Sequence, residues 1–302
     1  MSNQDLLRTQ KLSNNCFYTQ MQTIEEEMQY HKNSFKNKVV FCGCNDGKNS
    51  NFWKYFSQNY EELKLKGLIT TSYSPNGQGY KLEMYDEKNV LFSYLKGTGD
   101  ITSPECLLLL MQCDIFVTNV PFSKFRIIFK LLQEYQKKFL IIGSLNSLAY
   151  KDVFPYFQNN KVWLGYSIKN GGRHFNIPDF YPIETSSGGV EKTGERYIRV
   201  KAVRWITNLD YKERYETLPI TKEYVPGKYE YYDNLNAINV DSLKDIPRYN
   251  GVLGVPLTIL DHFNPQQIQI LGFNTGENKK ILSVNGKRKY CRVLIGIKYF
   301  GQ

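Results

Sequence analysis

Short apolar, β-branched runs alternate with segments of helical period through the first half of the chain, and this alternation most narrows the folds open to it. Lys38-Val39-Val40-Phe41-Cys42 reads as a buried strand, left through the turn Gly43 to Gly47. Ser50 to Leu63 follows as a helix with Phe52, Trp53, Tyr55, Phe56 and Tyr60 on its apolar side. Leu68 to Tyr73 is a second strand, and Gly79 to Leu95 a hairpin turning at Asp86 to Asn89. Ser103 caps a helix to Met111, Asp114 to Thr118 is an apolar strand, and Ser123 to Lys137 a helix. Phe139 to Gly143 and Val162 to Gly165 are further strands. Such an order implies an α/β fold with a mostly parallel sheet covered on both faces. Those sheets hold ligands beyond the carboxyl ends of their strands, where strand order switches. The turns after Phe41 and after Thr118 are therefore where chemistry is expected.

The chain changes character near residue 168, becoming richer in Gly, Tyr and Lys, with polar turns at Ser186 to Gly189 and Pro226 to Lys228. Strand-like pieces recur at Tyr197 to Thr207 and Tyr290 to Tyr299, with Gly251 to Thr258 between them. The reading is a core over residues 1–167 and a less regular, basic region over 168–302 packed on it. A net charge of +10 favours a polyanionic partner. Candidate phosphate contacts are Arg173, Lys192, Arg196, Arg199, Lys201, Arg204, Lys228, Lys279, Lys280, Lys287, Arg288 and Lys289. No run approaches the ~18 apolar residues of a membrane span. The N-terminus lacks the apolar core of an export signal. The six cysteines (Cys16, Cys42, Cys44, Cys106, Cys113 and Cys291) show no paired CxxC spacing and read as buried, reduced thiols of a cytoplasmic protein, with no metal site.

The sharpest local signal is Asp114-Ile-Phe-Val-Thr-Asn119-Val120-Pro121-Phe122, an apolar strand running into Asn-x-Pro-aromatic. It resembles the catalytic loop of amino-group methyltransferases, usually Asn-Pro-Pro-Tyr/Phe. An aryl amine is a poor nucleophile because its lone pair is delocalised into the ring. Two acceptors, the Asn119 side-chain oxygen and the Val120 carbonyl, would bind its two protons and free that lone pair. Phe122 would stack on the extruded base and fix its plane. Val120 stands where the usual pattern has proline; it retains the carbonyl but not the fixed φ, and Pro121 restrains it toward extended conformations. By itself the tetrapeptide also fits a simple proline turn at the end of a strand.

Many further blocks, in one order from about residue 16 to 295, resemble the EcoRI family of adenine-specific DNA methyltransferases. They are Phe17-Tyr18-Thr19-Gln20, Val39 to Cys42, Ser50 to Phe56, Gly97-Thr98-Gly99-Asp100, Lys137 to Gly143, Trp163-Leu164-Gly165 and Trp205 to Asp210. In the second half they are Tyr232-Asp233-Asn234, Ala237 to Val240, Asp245-Ile246-Pro247, Tyr249 to Val252, Gly254 to Thr258 and Phe263-Asn264-Pro265. The resemblance implies a Rossmann-like methyltransferase core using S-adenosylmethionine and releasing S-adenosylhomocysteine, with a DNA-recognition region following it. It implies methyl transfer to N6 of a flipped adenine in double-stranded DNA, near the nucleoid of a bacterial-type cytoplasm. A cognate restriction endonuclease would be a genetic rather than a physical partner. Phe17, Tyr18 and Thr19 match the N-terminal cofactor motif. The turn holding Cys42, Cys44 and Asp46 corresponds to the cofactor loop, and Asp100 to the residue binding the cofactor's adenine amine. Asn119 would face both cofactor and base. Alternative readings are an inactive DNA-binding relative, marked by Val120, and an enzyme acting on RNA or a protein amide.

Overall fold

The computed structural model describes residues 17–169, 172–179, 181, 183, 187–274 and 282–298. Cys16, Ser186, Lys279 and Lys280 lie outside them. The chain divides into two compact units that interleave in sequence: Met1–Ser144 with Ser167–Asp210, and Leu145–Tyr166 with Tyr211–Gln302. The segment from Ser167 to Asp210 thus folds with the first unit.

In the first unit, β1 (Tyr18–Thr19) precedes the strands of a large sheet: β2 (Val39–Asn45), β3 (Gly67–Ser72), β4 (Tyr80–Met84), β5 (Val90–Tyr94), β6 (Ile115–Asn119) and β7 (Lys138–Ser144). Seven strands of this unit lie in the order β5-β4-β3-β2-β6-β7 and then Val203–Thr207. β3, β2, β6 and β7 are parallel. The flanking pairs are antiparallel: β3 with β4, β4 with β5, and β7 with the strand Val203–Thr207. The sheet is therefore mixed, not mostly parallel as the alternation suggests. The cause is local on one side: the links from β3 to β4 and from β4 to β5 are far shorter than the dozen or so residues of a parallel crossover. The second of them is a tight turn in which Asp86 Oδ1 accepts from the amides of Lys88 (3.0 Å) and Asn89 (2.9 Å).

Four helices serve the sheet: α1 (Met21–Met28), α2 (Asn51–Gln58), α3 (Pro104–Gln112) and α4 (Phe125–Glu134). Ser50 caps α2, its Oγ accepting from the Phe52 amide at 3.2 Å. Phe52, Trp53, Tyr55 and Phe56 of α2 are buried, and Phe52 meets Trp205 edge-on at 6.1 Å. Ser103 caps α3 with Pro104 in its first turn, as expected. In α4 the buried Phe125, Ile128, Phe129 and Leu132 recur at three and four residues, one stripe against the sheet. Each such aromatic contributes ~1.5–3 kcal/mol when fully buried.

The chain leaves β2 toward β3 on one side and returns through α3 to β6 on the other. The strand order thus switches between β2 and β6. Their starts are tied together, since the Val39 amide donates to Asp114 Oδ2 (2.8 Å) and the Asp114 amide to the Val39 carbonyl (2.9 Å). A smaller antiparallel sheet of the same unit runs in the order β1, Gly172–Asn176, Arg196–Lys201, Gly188–Val190.

The second unit is more regular than its sequence suggests. It holds a five-stranded mixed sheet in the order Tyr231–Tyr232, Leu235–Asn239, Val252–Pro256, Arg292–Ile297, Ile268–Asn274. Tyr232, Ala237, Leu282 and Val284 form a small core there. Among the described residues no helix is long and apolar enough to cross a membrane. Cys42, Cys106 and Cys113 are buried free thiols, but Cys291 is exposed at φ +53°, a turn residue rather than a core one.

Candidate active site

The carboxyl ends of β2 and β6 meet at the switch point, and the sequence explains how closely they do so. A side chain at Gly43 would place its Cβ 2.7 Å from the Phe116 ring. Thr118 Oγ1 donates to the Gly43 carbonyl, joining the two strand ends. Cys44 then turns the chain at φ +59°, and Gly47 follows at φ +49° beneath the Tyr80 hydroxyl, which accepts from the Lys48 amide at 3.2 Å.

Asn119 is the last residue of β6. Its Nδ2 donates to the Phe17 carbonyl at 3.0 Å. That bond assigns the amide, because the opposite flip would set two oxygens against each other. The carboxamide oxygen is thereby turned away from Phe17 as an acceptor. The Val120 amide donates to the Ile142 carbonyl at 3.2 Å, extending the β6–β7 ladder by one bond that proline could not make. Its side chain is buried. Pro121 adopts φ −54°, and its carbonyl accepts from the Lys124 amide at 2.8 Å in a short turn that leaves Phe122 36% exposed.

Facing this loop is the cofactor side suggested by the sequence. Gly99 sits at φ +79°, where a Cβ would fall 2.0 Å from the Ser72 carbonyl oxygen. Asp100 follows; its Oδ1 accepts from Thr102 N (2.9 Å) and Oγ1 (2.8 Å), and its Oδ2 pairs with Lys124. Burial opposes the charge on Asp100, but the hydrogen bonds from Lys124 and Thr102 outweigh it and hold the carboxyl below its ordinary range. Burial pushes the Cys44 thiol up to about 12, against the attraction of Lys124, so this sulfur is a neutral thiol and not a nucleophile at neutral pH.

One cavity of about 300 Å³ joins these groups. Phe17, Tyr18, Thr19, Cys44, Asp46, Asp100, Asn119, Val120, Pro121 and Phe122 all line it. Of the residues singled out from sequence for catalysis or cofactor binding, only Cys42 stays outside. Its side chain is in the core, and its carbonyl accepts from Thr70 Oγ1 at 2.8 Å. The wall also includes Ser50, Asn51, Tyr73 and Lys124. Asn51 stood within a family block without an assigned role; its Nδ2 donates to the Thr19 carbonyl at 2.9 Å. Lys124 carried no sequence signal, because its partners Asp100 and Tyr73 (ring centroid at 5.2 Å) are distant in the chain.

The cavity fits S-adenosylmethionine in kind. Its volume suits a small-molecule site, and it combines apolar walls with a few polar groups. Thr19 Oγ1, buried in the wall, has no hydrogen-bond partner among the described residues, so a polar ligand atom would satisfy a group that is costly to leave unpaired.

Comparison with known proteins gives a consistent result. The profile of the family described as "Adenine-specific methyltransferase EcoRI" matches residues 5–296. The Type II methyltransferase M.EcoRI of Escherichia coli is 40% identical over 314 residues, covering 97% of this chain and 96% of its own. The Type II methyltransferase M.MgeORF184P of Mycoplasma genitalium is 35% identical, with 95% and 97% covered. The Type II methyltransferase M.MpnI of Mycoplasma pneumoniae is 34% identical, with 95% and 96% covered. No solved structure matches the chain significantly.

Proposed function

The chain belongs to the EcoRI family of adenine-specific methyltransferases, and on that premise we propose that it methylates N6 of adenine in double-stranded DNA, with the base turned out of the helix. The observation that carries this reading is the convergence of Asn119, Val120, Pro121 and Phe122 with Thr19 and Asp100 on one cavity. The four parallel strands and the switch between β2 and β6 support a Rossmann-like methyltransferase core.

When bound, S-adenosylmethionine supplies a methyl group on a positively charged sulfur, a leaving group that needs no metal. Asp100 would accept the cofactor's adenine amine, using lone pairs left beside Thr102 and Lys124. Thr19 Oγ1 would take up a cofactor polar atom, and Phe17 and Tyr18 would cover its apolar surface. Asn119 Oδ1 and the Val120 carbonyl would accept hydrogen bonds from the two N–H groups of the target amine, keeping its lone pair out of the ring. Phe122, half presented to solvent, would stack on the extruded base. The first unit holds every one of these groups. The second, with its exposed Tyr231 linked through hydroxyls to the half-buried Tyr224 and Tyr249 at 3.2 and 3.3 Å, would supply much of the DNA recognition.

The inactive-binder reading turns on Val120. Its N–H bond to Ile142 stands in for the rigidity that proline would supply, so the acceptor carbonyl is held from the other side. Val120→Pro should therefore leave methyl transfer within about threefold of wild type, while the lost bond costs about 1 kcal/mol of stability. A rise of tenfold or more in turnover would show that valine impairs the loop. The function itself is tested with labelled S-adenosylmethionine and duplex DNA, RNA and protein offered in competition. Label entering duplex DNA is the expected result; label in RNA or protein alone, or DNA binding without transfer, would contradict it.

A further inference from the structure

We infer that the outward face of the small antiparallel sheet, carrying Tyr18, His174, Tyr197, Arg199 and Lys201, is a DNA-backbone contact surface that begins at the mouth of the active-site cavity. The inference rests on the DNA reading above and adds residues to it.

Residues paired across neighbouring strands share a face, and faces alternate along each strand. The register sets Tyr18 beside Asn176, Asn176 beside Tyr197, and Tyr197 beside Gly189. It also sets Arg199 opposite His174 and Lys201 opposite Gly172. The other face carries Thr19, Phe175 and Val200, of which the first two are buried and the third packs on the main core. The Tyr18–Lys201 face therefore looks outward.

Its chemistry is that of a surface built for a polyanion. His174 stacks on Tyr197 at 4.2 Å, and Gly189 leaves room for that tyrosine, since a Cβ there would lie 2.9 Å from its hydroxyl. The other arginines of this region are already committed. Arg173 is bound to Glu26 and the Ser167 carbonyl, Arg196 to the carbonyls of Pro178 and Tyr181, and Arg204 is buried. Arg199 and Lys201 are exposed, and their side chains have no hydrogen bond or ion pair among the described residues. The nearby Glu191 carboxylate accepts from Gln20 and lies 3.6 Å from His174. Two strand residues span about 6.8 Å, which is two axial steps of one DNA strand. Because Tyr18 lines the cavity, phosphates held along this face would flank a base delivered into it.

The test is duplex DNA affinity across a salt series for wild type, for the double variant Arg199→Gln with Lys201→Gln, and for the double variant Lys36→Gln with Lys66→Gln. The last pair lies just before β2 and β3, at the end of the sheet away from the cavity. Thermal unfolding and binding of S-adenosylhomocysteine serve as folding controls. Neutralising Arg199 and Lys201 should make the slope of log affinity against log salt shallower by about 2, equally for all DNA sequences, with the control pair unchanged. An unaltered slope, or an equal change in the control pair, would overturn the inference. Wild type that binds no DNA at all would overturn the reading beneath it.

Discussion

Replacing Asn119 with alanine should lower the rate of methyl transfer by about 10²–10³, the loss typical of one preorganised polar group aimed at a reacting centre. The expectation follows from how the side chain is held. Its Nδ2 is bound to the Phe17 carbonyl, so its oxygen is oriented before any substrate arrives. Alanine removes the acceptor and also frees the Phe17 carbonyl at the cavity wall, a folding cost of only about 1 kcal/mol. Asn119→Asp separates the two effects. It keeps an acceptor but sets a carboxylate against that carbonyl, so it should also lose transfer. Single-turnover transfer from labelled cofactor reads both variants, and near wild-type activity in Asn119→Ala would mean that the loop has been assigned wrongly.

The second large effect is structural and sits on the cofactor side. Gly99→Ala forces a side chain into φ +79° and puts its Cβ 2.0 Å from the Ser72 carbonyl, an atom of the sheet backbone that has little freedom to move. The left-handed conformation costs roughly 1–2 kcal/mol and the overpacking a further 1–3. A total of about 2–5 kcal/mol should lower the melting temperature by roughly 5–15 °C. Asp100, the next residue, would be displaced with its Thr102 and Lys124 partners, so calorimetric titration should show cofactor affinity reduced at temperatures where the variant is still folded. An unchanged melting temperature would mean that the Gly99 turn is not as described.

Local signals in the sequence are enough for the elements that frame the site. The apolar runs form β2, β3, β6 and β7, Ser103 caps its helix, and Asn119 ends its strand. What stays hidden is non-local. A strand buried on both faces shows no alternation, so nothing in Val39 to Cys42 distinguishes Cys42, which points into the core, from Cys44, which reaches the cavity. The Asn119–Phe17 bond spans 102 residues, and the Lys124–Asp100 pair 24. The antiparallel flanks of the sheet depend on connection length more than on strand pattern. The interleaving of the two units is equally invisible to composition, because Ser167–Asp210 differs little in residue type from the stretch Tyr211–Gln302.

The central claim is that this cavity methylates adenine N6 in DNA. Sequencing of modified bases in DNA from cells expressing the chain, beside cells expressing Asn119→Ala, tests it most directly. The account predicts N6-methyladenine at one recurring sequence with the wild-type protein and none with the variant. Methylated cytosine in its place, or DNA without new methylation when the wild-type protein is folded and abundant, would contradict it.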